Sequence, residues 1–351
     1  MSTDVVQTIT TTKNKSKESE DNNSDHNDVV DTTTVVAVVI DTSCNRFVLL
    51  NVVFYLLNVL VTSAVQFGGI AALPTTSTVS AKYHTIVTPC GPASLALWGL
   101  IFFWQLCWVL GPVLVPSQRN NEGVVKVWYY YPIMTVLQAG WTISFAKERM
   151  VVAALFMYGS LLTLLLASLS LQTYTKNWQG YLLWQAPISL HTGWSMAASA
   201  VMTNVVIVAI EDTPASKLIV ATLTLAILIV TSFVWLTSYP VDFAIPCVIF
   251  WALGGVYVEL ETPQERITAE FTTTQIRGVR RGILAGMILI GIGIVSKIIY
   301  VCAIERPAAQ LQAQAQQREQ QQNKEQGQAL LQSNNTHGMI DDDASISEEN
   351  E

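Results

Sequence analysis

Long apolar runs alternate with short polar segments between Phe47 and Ala303. Leu218–Leu236 contains no charged residue, and Val151–Leu171 contains none either. A run of about 18 or more apolar residues is long enough to cross the hydrocarbon core, because each helical residue adds about 1.5 Å. The runs also lack the regularly spaced polar face of a soluble helix. The pattern therefore predicts an all-α, polytopic membrane helix bundle.

Polar connections divide the apolar region into eight predicted helices. Their bounds are about 47–66, 92–115, 124–146, 150–171, 181–210, 218–236, 241–258 and 282–303. The sixth and seventh helices are divided only by a short turn that ends at Pro240. The charged segment 259–281 is predicted to lie outside the membrane.

Three regions follow from this pattern. Residues 1–46 are rich in Ser, Thr, Asn, Asp and Lys and are predicted to be a disordered polar tail without a cleavable signal peptide. Residues 47–303 form the transmembrane domain. Residues 304–351, which are rich in Gln and then acidic, are predicted to be a second disordered tail.

Composition narrows the class of partner. Charged residues make up 13% of the chain, against about 25% in a typical soluble domain. The net charge of −7 arises mainly from acidic clusters near the two ends, and neither end is a basic arm. We therefore expect a lipid bilayer as the environment and no nucleic acid as partner. Cations are so evenly divided between the two sides that the positive-inside rule leaves the orientation open.

Few ionisable residues fall inside the predicted spans. His191 is near the middle of helix 5, Lys297 is near the end of helix 8, and Asp242 is interpreted as a cap of helix 7. The scarcity of buried acids argues against ion-coupled transport. No metal-ligand spacing, phosphate-binding loop or catalytic triad is evident, so we expect neither an enzyme nor a resident cofactor or metal.

Aromatic and small polar residues recur instead at helical spacing on helices 2, 3 and 5. One interpretation is packing, with Trp at the membrane interfaces and Ser, Thr or His bonding between helices. The other is an aromatic-lined pocket for a flat, apolar ligand with a few polar groups. The candidate ligand-binding residues are Trp98, Phe102, Gln138, Trp141, Trp184, His191, Trp194, Ser195 and Ser199.

Three segments resemble motifs of the tryptophan-rich sensory protein/translocator protein family. Residues 137–142, Leu-Gln-Ala-Gly-Trp-Thr, resemble Leu-Asn-x-x-Trp-Ser of the family's third helix. Residues 187–194 resemble the Pro-Phe-Ser-x-x-x-Gly-Trp segment of its longer, multi-span relatives, and residues 89–102 resemble the helix 2 signature. This sequence departs from the family at Gln138, where Asn is usual, and at Met202, where Asn is expected.

The resemblance implies a five-helix core over residues 47–210, with additional helices over 218–303. It also implies a lipophilic ligand such as a porphyrin, a haem-like molecule or a sterol. The predicted function is thus a non-enzymatic membrane protein that binds or carries a lipophilic, tetrapyrrole-like small molecule. The alternative is a transporter or channel for a small solute.

Two further hypotheses concern particular residues. His191 either contacts the ligand, through a porphyrin metal or a propionate, or simply bonds a polar group on a neighbouring helix. Gly282 and Gly286 form a GxxxG pair that permits close helix approach, either within the chain or in a homodimer.

Overall fold

A computed structural model describes residues 46–68, 70, 73–115, 118, 122–127, 129–172, 178–210, 213–239, 241–305 and 314–327. Residues 1–45 of the predicted N-terminal tail lie outside these ranges, as do 306–313 and 328–351 of the predicted C-terminal tail. Within that second tail, residues 314–327 form a helix whose side chains are nearly all exposed.

Eight long helices make up the fold, and the described residues contain no strand. The helices are α1 Arg46–Gln66, α2 Gly91–Leu114, α3 Tyr130–Ala146, α4 Met150–Gln172, α5 Ala186–Ala209, α6 Pro214–Thr237, α7 Ala244–Glu259 and α8 Thr273–Tyr300. Short helices lie at Thr76–Lys82, Glu122–Val127, Trp178–Gly180 and Glu265–Glu270, and π-helical turns at Tyr181–Gln185 and Val301–Glu305.

The eight-helix prediction is confirmed in outline. Six of the helices are long and apolar enough to span a membrane, counting the π-helical turn as part of the α5 span. The other two are shorter, with 17 residues in α3 and 16 in α7. The chain is an integral, multi-pass membrane protein.

Helix α5 occupies the centre of the bundle. It packs against α2, α4, α6 and α7, and 61% of its most apolar window is buried inside the protein. The corresponding share for α8 is 6%, so α8 lies at the periphery against lipid. Other close pairs are α1 with α3, α3 with α4, α7 with α8 and α6 with α8.

Glycine allows α5 and α7 to approach closely. A Cβ atom on Gly193 would lie 3.0 Å from Val248 Cβ and 3.1 Å from the backbone of Ile245. A larger residue would therefore push the two helices apart, because packed interiors leave no room for an added methyl group. This contact explains the glycine that precedes Trp194 in the sequence.

The C-terminal helices also hold the start of α2. The Cys90 amide donates to the Gly255 carbonyl at 3.1 Å, and Trp251 Nε1 donates to the Ala93 carbonyl at 3.0 Å. In the preceding connection, Ile86 and Val87 are buried in a hydrophobic cluster with residues of α6, α7 and α8. The direction of α2, and so the position of Trp98, depends on α7.

Two predicted helix starts are wrong. The third helix begins at Tyr130 and not at residue 124, and residues Glu122–Val127 form a separate short helix. Pro132 explains the break, because proline fits the first turn of a helix but not its interior. The eighth helix begins at Thr273 and not at residue 282, since Thr272 and Gln275 form a capping box there. Segment 259–281 is therefore largely helical.

The GxxxG pair on α8 has one role inside the chain. The Ile229 side chain of α6 fills the space where a Cβ atom on Gly286 would project. Gly282 faces open space. Gly286 therefore serves α6–α8 packing within the chain, and a homodimer contact stays a prediction.

Candidate functional site

A small cavity lies between α2, α3, α4 and α5, and the centre of a water-sized sphere can occupy only about 10 Å³ of it. Six of the nine candidate residues line it. Its lining consists of Trp98, Gln138, Trp141, Met157, Ser160, His191, Trp194, Ser195 and Ala198.

Helical spacing explains why these side chains meet. On α5, His191, Ser195 and Ala198 are four and three residues apart, so they lie on one face. On α3, Gln138 and Trp141 are three apart and face α4 and α5. The side chains of Met157 and Ser160 come from α4, a helix on which sequence analysis named no site residue. Met157 is flexible and apolar and Ser160 is small, so neither residue gave a signal distinct from core packing.

Three candidate residues lie outside the cavity lining. Phe102 stacks on Trp98, with ring centroids 5.4 Å apart. Trp184 is buried in a separate hydrophobic cluster with residues such as Trp108. Ser199 is buried one turn beyond Ser195, and its hydroxyl has no hydrogen-bond partner.

Aromatic rings form most of one cavity wall. The Trp98 ring lies 5.7 Å from the His191 ring and 6.0 Å from the Trp194 ring, in both cases edge to face. Trp141 stacks on Phe145 at 5.5 Å. Such arrangements present both ring faces and ring edges to a bound molecule.

His191 is buried and bonds a neighbouring helix. Its Nδ1 atom lies 2.8 Å from Gln105 Nε2 on α2, and Tyr131 OH donates to Gln105 Oε1 at 3.3 Å. An amide N–H donates, so in this arrangement Nδ1 accepts and the imidazole proton is on Nε2. A protonated Nε2 can donate to a ligand oxygen but cannot coordinate a metal. The helix-to-helix bond considered for His191 is thus present, and contact with a ligand, which its place in the cavity wall allows, stays a prediction.

Four polar atoms around the cavity lack a partner. They are Nε2 and Oε1 of Gln138 and the Nε1 atoms of Trp141 and Trp194, all buried. Burial of a polar atom without a hydrogen bond costs about 1–3 kcal/mol, and such atoms are few in folded proteins. Six other buried atoms without a partner are distributed over the rest of the described residues, but these four lie around one space, where they are available to a bound molecule or water.

Asp242 forms a second polar centre, which sequence analysis missed. Its side chain is fully buried, so Asp242 is one of the few acids inside the protein as well as the cap predicted from the sequence. Tyr181 OH donates to Oδ1 at 2.8 Å, Gln185 Nε2 donates to Oδ2 at 3.1 Å, and Ser189 Oγ donates to Oδ2 as well. The amide of Ala244 donates to Oδ1 at 3.0 Å, which caps α7 as expected. The three side-chain donors are about 50–60 residues away from Asp242 in the sequence, so spacing could not reveal them.

Charged side chains are paired at the opposite end of the bundle. Lys82 contacts Glu148 at 2.5 Å, and Lys217 contacts Glu270. His84 Nε2 lies 3.3 Å from Glu259 Oε1. Burial, helped by Arg266, lowers the pKa of His84 to about 4, so the imidazole beside Glu259 is neutral at pH 7.

A second small cavity lies beside these pairs, against the end of α5. Its polar groups, among them His84, Asn204 and Lys217, bond one another or nearby residues. It therefore lacks the unsatisfied atoms of the first cavity. Within the described residues, no group of three or more His, Cys, Asp or Glu side chains could hold a metal ion.

The fold and the cavity define a class of protein: a polytopic helical membrane protein with an aromatic-lined chamber inside the bundle. A family model described as TSPO-like protein matches residues 48–295. Because this match covers most of the chain, the protein belongs to the TSPO-like family, and the resemblance seen in the sequence is confirmed. The match extends through most of α8, so the additional helices are part of the matched pattern. No curated protein and no solved structure matches the chain.

Proposed function

We propose that the protein binds or carries a lipophilic small molecule in the cavity between α2, α3, α4 and α5. The observation that supports this function is the group of unpartnered polar atoms on Gln138, Trp141 and Trp194 at one aromatic-lined space. Ligand sites in proteins combine mostly apolar walls with a few placed polar groups, and this cavity has that composition.

The lining also favours a particular ligand chemistry. With His191 as a neutral imidazole, none of the lining residues is charged. Indole and amide N–H groups outnumber acceptors, since only Gln138 Oε1 accepts among the four unpartnered atoms. A molecule with an uncharged apolar body and one or two oxygen acceptors would therefore fit best.

Cavity size constrains how a ligand enters. The cavity is far too small for a drug-sized ligand, because its free space is close to what a single water molecule needs. Binding of a tetrapyrrole-like molecule, the class implied by the family resemblance, therefore requires the indoles of Trp98, Trp141 or Trp194 to move. Indole fluorescence should report that movement.

Titration of the full-length protein in nanodiscs tests this proposal. Protoporphyrin IX, haem and cholesterol would each be added while tryptophan fluorescence and equilibrium binding are recorded. Saturable binding with a fluorescence change by at least one probe supports a ligand-binding function. Absence of saturable binding by all three would count against it.

The same preparation also tests two other functions, a transporter or channel for a small solute and an enzyme. We propose a non-enzymatic role, so a bound probe should be recovered chemically unchanged. Flux of a small solute through proteoliposomes without saturable binding of a lipophilic probe would instead favour a transporter or channel. A modified probe would favour an enzyme.

A further inference from the structure

Three arginines are concentrated on the first turns of α8. Arg280 and Arg281 follow Arg277 by three and four residues, so all three lie within one arc of the helix surface. Arg281 directly precedes Gly282, where the uncharged apolar part of the helix begins. Because α8 runs unbroken from Thr273 to Tyr300, these arginines are held on a rigid helix at the membrane boundary.

Only one of the three has a protein partner. Arg280 Nη2 donates to Glu261 Oε1 at 2.8 Å, and its guanidinium lies 4.4 Å from the centroid of the Tyr257 ring. Even so, Arg280 Nε is buried and unpartnered. Arg277 and Arg281 are exposed, and neither forms a hydrogen bond or ion pair with any residue in the described ranges.

Three of the described acids at this end of the bundle have partners other than Arg277 and Arg281. Glu148 pairs with Lys82, Glu259 contacts His84, and Glu270 pairs with Lys217. Glu211 and Asp212 lie outside the described residues. The positive charge of Arg277 and Arg281 thus has no described counter-ion.

We propose that Arg277, Arg280 and Arg281 form a binding surface for the phosphate headgroups of anionic phospholipids. Guanidinium groups bind phosphate oxygens through paired N–H donors, and a basic cluster beside a spanning helix attracts anionic lipids. The positive end of the α8 dipole lies on the same side and favours an anion there. The helix is peripheral, with 6% of its most apolar window buried, so lipid can reach the arginines.

Lipid titration with matched variants tests this surface. The full-length protein in phosphatidylcholine would be titrated with phosphatidylglycerol, and retained lipid counted by native mass spectrometry. The R277Q/R281Q variant should bind phosphatidylglycerol about tenfold more weakly, a loss of about 1.4 kcal/mol. The K147Q/R149Q variant removes the same charge at the same end, away from α8, and should bind nearly as well as wild type.

Three outcomes would overturn the proposal. Wild-type protein could show no preference for phosphatidylglycerol over phosphatidylcholine. Both double variants could lose equal affinity, which would indicate diffuse surface charge. Soluble glycerophosphate could displace the lipid at similar concentration, which would indicate a site for a free phosphate. The R277K/R281K variant keeps the charge but loses the paired donors, so it should bind more weakly than wild type and more tightly than R277Q/R281Q. Melting temperatures of all variants would show whether a folding defect causes any loss, and R277K/R281K binding as weakly as a correctly folded R277Q/R281Q would contradict the role of charge.

Discussion

Gln105 on α2 and His191 on α5 are joined by a contact of 2.8 Å between the amide Nε2 and the imidazole Nδ1. Tyr131, next to the start of α3, donates to the other end of the same amide. One fully buried glutamine thus connects three helices beside the cavity. Its two polar atoms are both used, in contrast to those of Gln138.

Replacement of Gln105 by leucine should destabilise the protein by about 1–3 kcal/mol, because it leaves buried groups of His191 and Tyr131 without a partner. Gln172→Leu is the matched control, since Gln172 is also buried but its Nε2 has no partner. Thermal unfolding in detergent would measure both. A Gln105→Leu protein as stable as Gln172→Leu would contradict the connecting role.

Gln138→Leu should have opposite effects on stability and on binding. The free protein should gain about 1 kcal/mol, because two buried polar atoms without partners are removed while side-chain volume is nearly kept. Binding of a lipophilic probe should weaken, because the ligand loses its hydrogen-bonding amide. A lowered melting temperature in the absence of ligand would show that Gln138 is satisfied within the folded protein.

Asp242→Asn should cost more stability than Ser189→Ala. The serine change removes one of four hydrogen bonds to the carboxylate, a loss of about 1 kcal/mol. The asparagine change places an N–H₂ group against donors, so at least one buried donor loses its acceptor and the cost should be about 2 kcal/mol or more. Urea or thermal unfolding would rank the two variants. The reverse order would mean that Asp242 does not organise the contact between the start of α5 and α7.

His84 should lower the free energy of unfolding as the pH is reduced from 7 to 5. Its pKa is lowered from 6.5 to about 4 by burial and Arg266, against the opposing pull of the Glu259 carboxylate. Since the unfolded chain takes up a proton first, the stabilising contribution is full above about pH 6.5 and is lost as pH falls toward 4. His84→Gln, which stays neutral, should flatten the melting temperature between pH 7 and 5. An unchanged profile in that variant would assign the pH dependence to other groups.

The bounds of a helix were predicted better from the sequence where an apolar run defines them than where a local capping interaction or a proline does. Apolar runs located α4 and α6 because lipid exposure leaves an uninterrupted apolar stretch. The start of α8 depends on a hydrogen-bonded capping box at Thr272, and the start of α3 depends on Pro132. Hydropathy responds to neither of these local effects.

Site residues were predictable where spacing within one helix defines a face. His191 and Ser195 line the cavity together because they are one turn apart on α5. Trp184 shares that periodicity but precedes α5, in the π-helical turn, and lies in another cluster. The cluster at Asp242 joins segments distant in sequence, and such contacts depend on tertiary packing that spacing does not encode.

Comparison of two tryptophan variants tests the ligand-binding cavity most directly. Trp141 and Trp108 both have a buried Nε1 atom without a partner, but only Trp141 lines the cavity. Trp141→Phe and Trp108→Phe would each be placed in nanodiscs, and equilibrium dialysis would measure binding of protoporphyrin IX and cholesterol. If the cavity holds the ligand, Trp141→Phe should weaken binding of a probe that wild type binds by about tenfold, while Trp108→Phe binds as wild type does. Equal affinity in both variants, or a loss confined to Trp108→Phe, would contradict the account.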